Sequence, residues 1–363
     1  MTYALIAFFL FLIVLGIKVV LEQEIDLERI IPAVLVLVIG YCLVIGIDYC
    51  NKTSDKEIWS GKITKVKHEE EWDEWHPPSV ETYTTTDSKG NTVTQTRTIP
   101  GYWEHHEAEN YITTSDEGTF RVFKTPDGKR FSDSFVNSTK ELEKYYPIGQ
   151  ATASTHIYVN KVQSSYSIFK NKEIDLDDYP DLFEYPLKQN KNYSINRLLG
   201  NFKNKAVKSK YLDSINSNLN DTDNPNNTEK TKSYKQVNLI LANFEDKNSD
   251  YGYALQDYWE NGNKNDVVVT FGTDANDKPT WCYVFSWSDV EILKTDIREV
   301  VMSVEDINKE YNKTLDKISD LIEEKYKRRE FAEFDYIQVE LSMFSKVLLV
   351  IIFLASTFLL FFL

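Results

Sequence analysis

Four of the five histidines in this 363-residue chain fall in two short pieces, KHEEEWDEWHPP at 67–78 and PGYWEHHEAEN at 100–110. Imidazoles beside carboxylates can hold a transition ion if two or more of them converge within about 2 Å of it. His68, His76, His105 and His106, with the glutamates around them, offer ligands that suit zinc. On a strand His105 and His106 point to opposite faces, so a single site takes at most one of them unless a bulge intervenes. Two other readings stand beside the metal. The imidazoles and carboxylates can form a cluster that titrates near neutral pH. Alternatively, Trp72, Trp75, Tyr102 and Trp103 make cross-strand aromatic pairs on an exposed arm that docks a partner, with the histidines and glutamates as its solvated face.

A second group of carboxylates, Asp266, Asp274, Asp277, Asp289 and Glu291, lies near the ends of predicted strands. Ligands of α/β sheets usually bind there, and oxygen donors suit magnesium or calcium. The plainer reading is that Asp266 starts a strand, Asp274 and Asp277 shape a turn, and Ser288 or Asp289 caps a helix. Lys264 and Asn265 in the preceding turn could bind an anion. The chain has no P-loop, GxSxG, HExxH or dinucleotide fingerprint, and no Cys and His pair suited to nucleophilic catalysis. Cys42 and Cys50 lie in or beside an apolar run and Cys282 stands apart, which leaves no disulfide framework.

The elements that must position these residues begin at the ends of the chain. Residues 3–21 and 30–49 are nearly uncharged runs of about 20 residues, long enough to span a bilayer core. The run at 344–363 is as apolar and reads as a third span or a tail anchor. The first run lacks the basic start and small-residue cleavage site of a signal peptide. The loop EQEIDLER between the first two spans is mostly acidic, whereas Lys52, Lys56, the KYKRR run at 325–329 and Lys346 flank the soluble region. That asymmetry favours a cytoplasmic soluble region, with an extracytoplasmic one as the alternative. A net charge of −15 argues against nucleic acid as a partner.

Between the spans, residues 57–170 alternate apolar and polar positions, as half-buried strands do, and the hairpin arm at 68–110 folds back about the DSKG turn. Residues 171–235 read as a linker with short helices and a low-complexity loop. From 236 the order is strand, helix, strand, strand, helix. QVNLILANF is a buried strand, Tyr251, Leu255 and Trp259 recur at helical spacing, and DVVVTFG and TWCYVFSW follow as strands. Ile307, Tyr311, Leu315, Ile318, Ile322 and Tyr326 form one stripe of an amphipathic helix, which packs on this second domain or pairs in a short coiled coil. Its basic end, KYKRR, is placed to touch anionic lipid.

Two resemblances follow from these residues. Gly61 and Ile63, Gly128 to Phe131, then Tyr146, Pro147, Gly149, Tyr158 and Asn160 resemble a group of uncharacterised bacterial membrane-anchored β-domains, which carries no catalytic residue to transfer. Trp259, Gly262, Lys264, Asn265, Asp266 and Gly272 resemble the TPM domain family over about 236–334, whose helix ends in a Trp and Gly before an Asn-rich turn and an apolar strand. That family includes cation-dependent phosphatases and membrane-associated accessory proteins. It carries a glycine-rich turn where this chain reads VFSWSDVE.

The expectation is an integral membrane protein with three transmembrane helices and an α+β soluble part: a small antiparallel β-domain with a long β-hairpin, then a TPM-like α/β sandwich. Its partners are the lipid bilayer and a second protein or copy of itself. A non-enzymatic interaction or accessory protein leads the functional readings. A TPM-type phosphatase using Asp266 and Asp289, and a metal-binding membrane protein using the His-rich hairpin, are the alternatives.

Overall fold

The computed structural model describes residues 2–22, 27–86, 90, 92–131, 136–169, 174–220 and 235–362. Most of the DSKG turn and the low-complexity loop at 221–234 lie outside the described residues.

Helix α1 (Thr2–Glu22) precedes α2 (Leu27–Thr53), and an apolar helix closes the described chain at Met343–Phe362. Two of these, Leu27–Thr53 and Met343–Phe361, are long and apolar enough to cross a membrane by length and composition. They lie against each other antiparallel. Ser356 donates to the Ala33 carbonyl at 2.6 Å, and an added Cβ on Gly40 would come within 2.9 Å of Ile352. Asp48 accepts from Ser342 N at 3.0 Å, Ser342 Oγ at 2.7 Å and Ser345 Oγ at 2.9 Å. A carboxylate thus caps the positive N-terminal end of the last helix. At its other end Arg29 donates to the Phe361 carbonyl at 3.4 Å, a cation beside the negative end.

Strand β1 (Ser54–Glu69) follows α2 without a linker. Next come β2 (Trp72–His76), β3 (Ser79–Thr86), β4 (Thr92–Ile99), β5 (Tyr102–His106), β6 (Glu109–Thr114) and β7 (Gly118–Arg121). Helix α3 (Thr139–Tyr145), β8 (Ala151–Val159) and α4 (Val162–Phe169) complete the first unit. Its sheet runs β7-β6-β1-β8. The 16 residues of β1 serve two partners, β8 through Ser54–Lys62 and β6 through Ile63–Glu69, with a register shift between Ile63 and Lys65. Ile63, Val66, Ile112 and Val122 pack beneath Leu142 and Tyr146. Helix α3 is held at its start by Ser138, whose side chain accepts from Glu141 N.

The second unit is a layered α/β body. It contains β9 (Leu198–Gly200), α5 (Lys205–Leu219), β10 (Asn238–Asn243), α6 (Asp250–Tyr258), β11 (Asp266–Thr273), β12 (Pro279–Ser286), α7 (Glu291–Met302) and α8 (Tyr311–Lys325). The final helix, Met343–Phe362, is α9. Sheet order is β12-β11-β10-β9, parallel across β9, β10 and β11 and antiparallel at β12. Every residue of β10 and β11 is buried, as a sheet covered on both faces requires. Leu239, Leu241, Val267 and Val269 face Leu212, Leu293, Leu315 and Ile318 of the three helices α5, α7 and α8. Ile240, Ala242, Val268 and Phe285 face α6 and the segment carrying Leu182, Phe183 and Tyr185.

The structure changes the reading of the linker and decides between the two readings of the amphipathic stripe. Residues 171–235 are not simply a linker, because β9 and α5 belong to the second unit's sheet and one of its layers. Strand β9 is short, so the amides of Asn216 and Asn220 on α5 continue the pairing at the open edge of β10. Asn216 accepts from Leu239 N at 2.7 Å and donates to its carbonyl at 3.1 Å, and Asn220 does the same with Val237 at 2.9 Å each way. The stripe from Ile307 to Tyr326 is buried against the sheet, which leaves no apolar face for a coiled coil. Within KYKRR, Arg329 Nε donates to Asp289 at 2.8 Å, Lys325 reaches Asp296 at 2.5 Å and Arg328 turns inward, while Lys327 stays largely exposed.

Arg328 joins the two soluble units. Its Nη2 contacts both carboxylate oxygens of the fully buried Glu57, at 2.6 Å from Oε2, and its Nη1 donates to Gln236 at 2.7 Å. Removing one partner of a buried ion pair leaves an uncompensated charge and costs about 3–5 kcal/mol. Arg328→Met should therefore lower the unfolding free energy by that order, and the Glu57→Gln/Arg328→Met double variant should recover most of the loss. Chemical denaturation of the full chain in detergent measures both, and equal losses for single and double variants would refute the assignment.

Candidate functional site

The ribbon of β2 to β5 leaves the first unit's sheet where β1 ends. At its base Trp72 pairs with His106, Asp73 with His105, Glu74 with Glu104, Trp75 with Trp103 and His76 with Tyr102. Further out, β3 and β4 pair from Ser79↔Ile99 to Thr86↔Thr92. Between these ladders lie Pro77, Pro78 and Pro100, which lack the N–H a ladder needs, so pairing stops and restarts there. Gly101 sits in the same joint, and an added Cβ would meet the Trp75 ring at 2.6 Å and the His76 carbonyl at 2.9 Å.

Strand alternation sorts the side chains onto two faces. One carries Trp72, Glu74 and His76 opposite His106, Glu104 and Tyr102. The other carries Asp73 and Trp75 opposite His105 and Trp103. On the first face His76 Nε2 lies 2.8 Å from Glu104 Oε2, and His106 Nε2 lies 3.1 Å from Glu74 Oε2. Trp72 stacks on His106 with ring centroids 4.2 Å apart, and Tyr102 stacks on His76 at 4.7 Å. On the second face His105 Nδ1 is 2.8 Å from Asp73 Oδ1, and that hydrogen bond holds the imidazole's pKa above its ordinary value. His68 is outside both groups, with Nδ1 2.8 Å from Asn110 Oδ1 on β6. The structure therefore brings His76 and His106 together and separates His68 and His105 from them. Glu74 and Glu104 complete the cluster. Their position two residues from His76 and His106 is the strand-period signal that points to them.

Trp72, Trp75, Tyr102 and Trp103 remain 56, 47, 52 and 67 % exposed, so the rings pair with neighbours but bury little. Beyond them Thr82, Thr84, Thr86, Thr92, Thr94, Thr96 and Thr98 share one face of the outer ribbon, while Tyr83 and Val93 lie on the other.

The carboxylates of the second unit have different surroundings. Asp266 is fully buried and accepts three hydrogen bonds, from Tyr185 Oη at 2.8 Å, Asn238 Nδ2 at 2.9 Å and Asn263 N at 2.8 Å. Burial raises its carboxyl to about 7, and the donors only partly offset it. Asp55 on β1, held by Asn160 Nδ2 at 2.9 Å, is likewise raised by burial, to about 6, and burial lowers Lys264 to about 8. Asp289 pairs with Arg329, Asp277 with Lys203, and Asp274 accepts from Asn276 N at 2.8 Å and Lys278 N at 3.0 Å. Glu291 pairs with Lys294 at 2.8 Å. Each of these carboxylates has at least one protein donor, and both oxygens of Asp266 are occupied.

The Trp259 to Asp266 stretch works as a joint. Trp259 Nε1 donates to the Phe183 carbonyl at 2.8 Å, and Asn265 Nδ2 reaches across to the Ile58 carbonyl at 2.8 Å. Gly262 has a φ of +71°, and an added Cβ there would stand 2.7 Å from Asp266 Oδ2. Tyr185, Gly262 and Asn263 line a cavity of about 410 Å³ with Asn51, Ser54 and Lys56, at the point where α2 becomes β1. Asp266 lies behind that wall. No family model matches the chain, and no curated protein or solved structure matches it.

The two raised carboxyls fix the sign of a pH effect. Each has a higher pKa folded than the ordinary 3.8, so the native state holds the proton more tightly. Their contribution is fully present below about pH 4 and is lost as pH rises through 6 and 7, at about 1.4 kcal/mol per pH unit for each group. The unfolding free energy of the full chain should fall between pH 5 and pH 8, and the fall should shrink in Asp266→Asn. A wild-type stability that stays level or rises across that interval contradicts the assignment.

Proposed function

We propose that this chain is a membrane-held docking protein, with the ribbon of β2 to β5 as the element that recruits a second protein to the bilayer surface. One observation carries the reading: four large aromatic side chains stay about half exposed or more on an arm that neither core requires. Trp and Tyr are the residues that most often anchor protein interfaces. Eight carboxylates and one lysine lie in 67–76 and 102–110, so the partner surface that fits is basic around an apolar centre.

In this reading α1 joins α2 and α9 as a third span, and the ends of α2 and α9 hold the soluble units close to the bilayer. Lys52 and Lys56 beside α2, set against the acidic 22–29 loop, favour the cytoplasmic side. The second unit is TPM-like in its Trp259 to Asp266 stretch. That stretch acts as a structural joint to β1, and the engaged state of Asp266 and Asp289 favours an accessory role over phosphoester hydrolysis.

Trp75 and Trp103 pack against each other, tilted by 47° with centroids 5.2 Å apart, on the face away from the His and Glu cluster. The Trp75→Ser/Trp103→Ser variant should shift the thermal midpoint by no more than a few degrees while abolishing a crosslink seen with wild type in native membranes. Sedimentation of the purified chain tells a heterologous partner from a second copy. Crosslinking that persists unchanged in the variant refutes the arm as the docking element.

A further inference from the structure

The inner face of the ribbon poses an electrostatic problem. Glu74 and Glu104 are directly opposed across β2 and β5, and like charges in that position destabilise a ribbon. A cation held between them removes the repulsion. One ring nitrogen of His106, one oxygen of Glu74 and one of Glu104 all lie within 4.8 Å of one another. His76 Nε2 stands 2.8 Å from Glu104 Oε2 and 3.8 Å from Glu74 Oε2. Ligand atoms about 2.0–2.2 Å from a tetrahedral zinc ion are separated by roughly 3.3–3.6 Å, an adjustment within reach of rotations of the two glutamate side chains.

From this geometry we infer a divalent-cation site on one face of the arm, with Glu74, Glu104 and His106 as ligands and zinc as the fitting ion. Two carboxylates balance the charge of the dication, and imidazole with carboxylate is a donor set that zinc accepts. His76 either fills the fourth position or holds Glu104 through its Nε2, the outer contact that orients ligands at metal sites. Stacking by Trp72 and Tyr102 fixes the planes of both imidazoles, which limits the freedom lost on binding. Bound metal would staple β2 to β5 in register at the foot of the arm. The site stands independently of the docking reading, since an arm can hold zinc with or without a partner.

Tag-free full chain in detergent, incubated with zinc chloride alone and dialysed, tests the site by elemental analysis. The expected result is near one zinc per chain in wild type, at least a tenfold loss in Glu74→Gln/His106→Asn, and full retention in His68→Ala and in His105→Ala, whose ring is on the opposite face. Amide exchange at β2 and β5 should slow on adding zinc to wild type and stay unchanged in the double variant. Wild type without retained zinc overturns the site, as does retention unaffected by the double variant or lost equally in His105→Ala.

Discussion

The contact on which the architecture depends is the buried ion pair between Arg328 and Glu57. Glu57 is on the strand that follows α2, and Arg328 lies just past α8, on the path to α9. Their pairing closes the chain into a ring: α2, first unit, second unit, α9. Polar contacts surround it. Arg197, with no exposed surface, donates to Ser60 on β1, to Asn238 on β10 at 3.3 Å and to Asp213 on α5 at 2.9 Å. Asn263 Oδ1 accepts from Lys56 N at 3.2 Å. Ion pairs buried this way are not efficient sources of stability, because desolvation offsets most of the attraction. They are directional, however, and a set of hydrogen-bonded charges defines one docking geometry where an apolar patch would tolerate several.

The same seam explains the perturbed carboxyls. Asp55 and Asp266 lie where β1 approaches the start of β11, and packing the two units together removes water from both. Perturbed groups often mark catalytic sites, but structural networks perturb them too. Asp266 belongs to the second kind, since both oxygens are occupied by protein donors that hold the Asn263 turn, Asn238 and Tyr185 in place. Its raised pKa follows from burial.

The sequence showed some of this and hid the rest for identifiable reasons. Alternation from Glu57 to Glu69 and the Thr-rich repeats made the strands and the ribbon readable, and the uninterrupted apolar runs of α2 and α9 marked their length. Helix α5 passed for linker because its sequence, KAVKSKYLDSINSNL, is polar, and because its Asn residues are buried for hydrogen bonds to a sheet edge that no local pattern shows. Arg328 looked like a surface charge in a basic run, since its partner is 271 residues away and contacts at that separation leave no periodic trace. In the ribbon the pairing of the two histidine pieces was legible from the turn, whereas register decided which imidazoles meet. A slip of one residue would have exchanged the faces.

That dependence on register gives the arm its physical logic. A two-stranded ribbon without a core beneath it is marginal in water, so its shape must come from cross-strand contacts. Prolines at 77, 78 and 100 divide it into two ladders, and only the inner one carries large side chains that can lock it: Trp72 on His106, Trp75 on Trp103, Tyr102 on His76. Glu74 and Glu104 interrupt that series at its centre with opposed like charges. Apolar residues there would have given a tighter ribbon. Two carboxylates between two histidines instead leave a gap that the proposed divalent cation would close, which would join the mechanics of the projecting element to the metal in the solution around it.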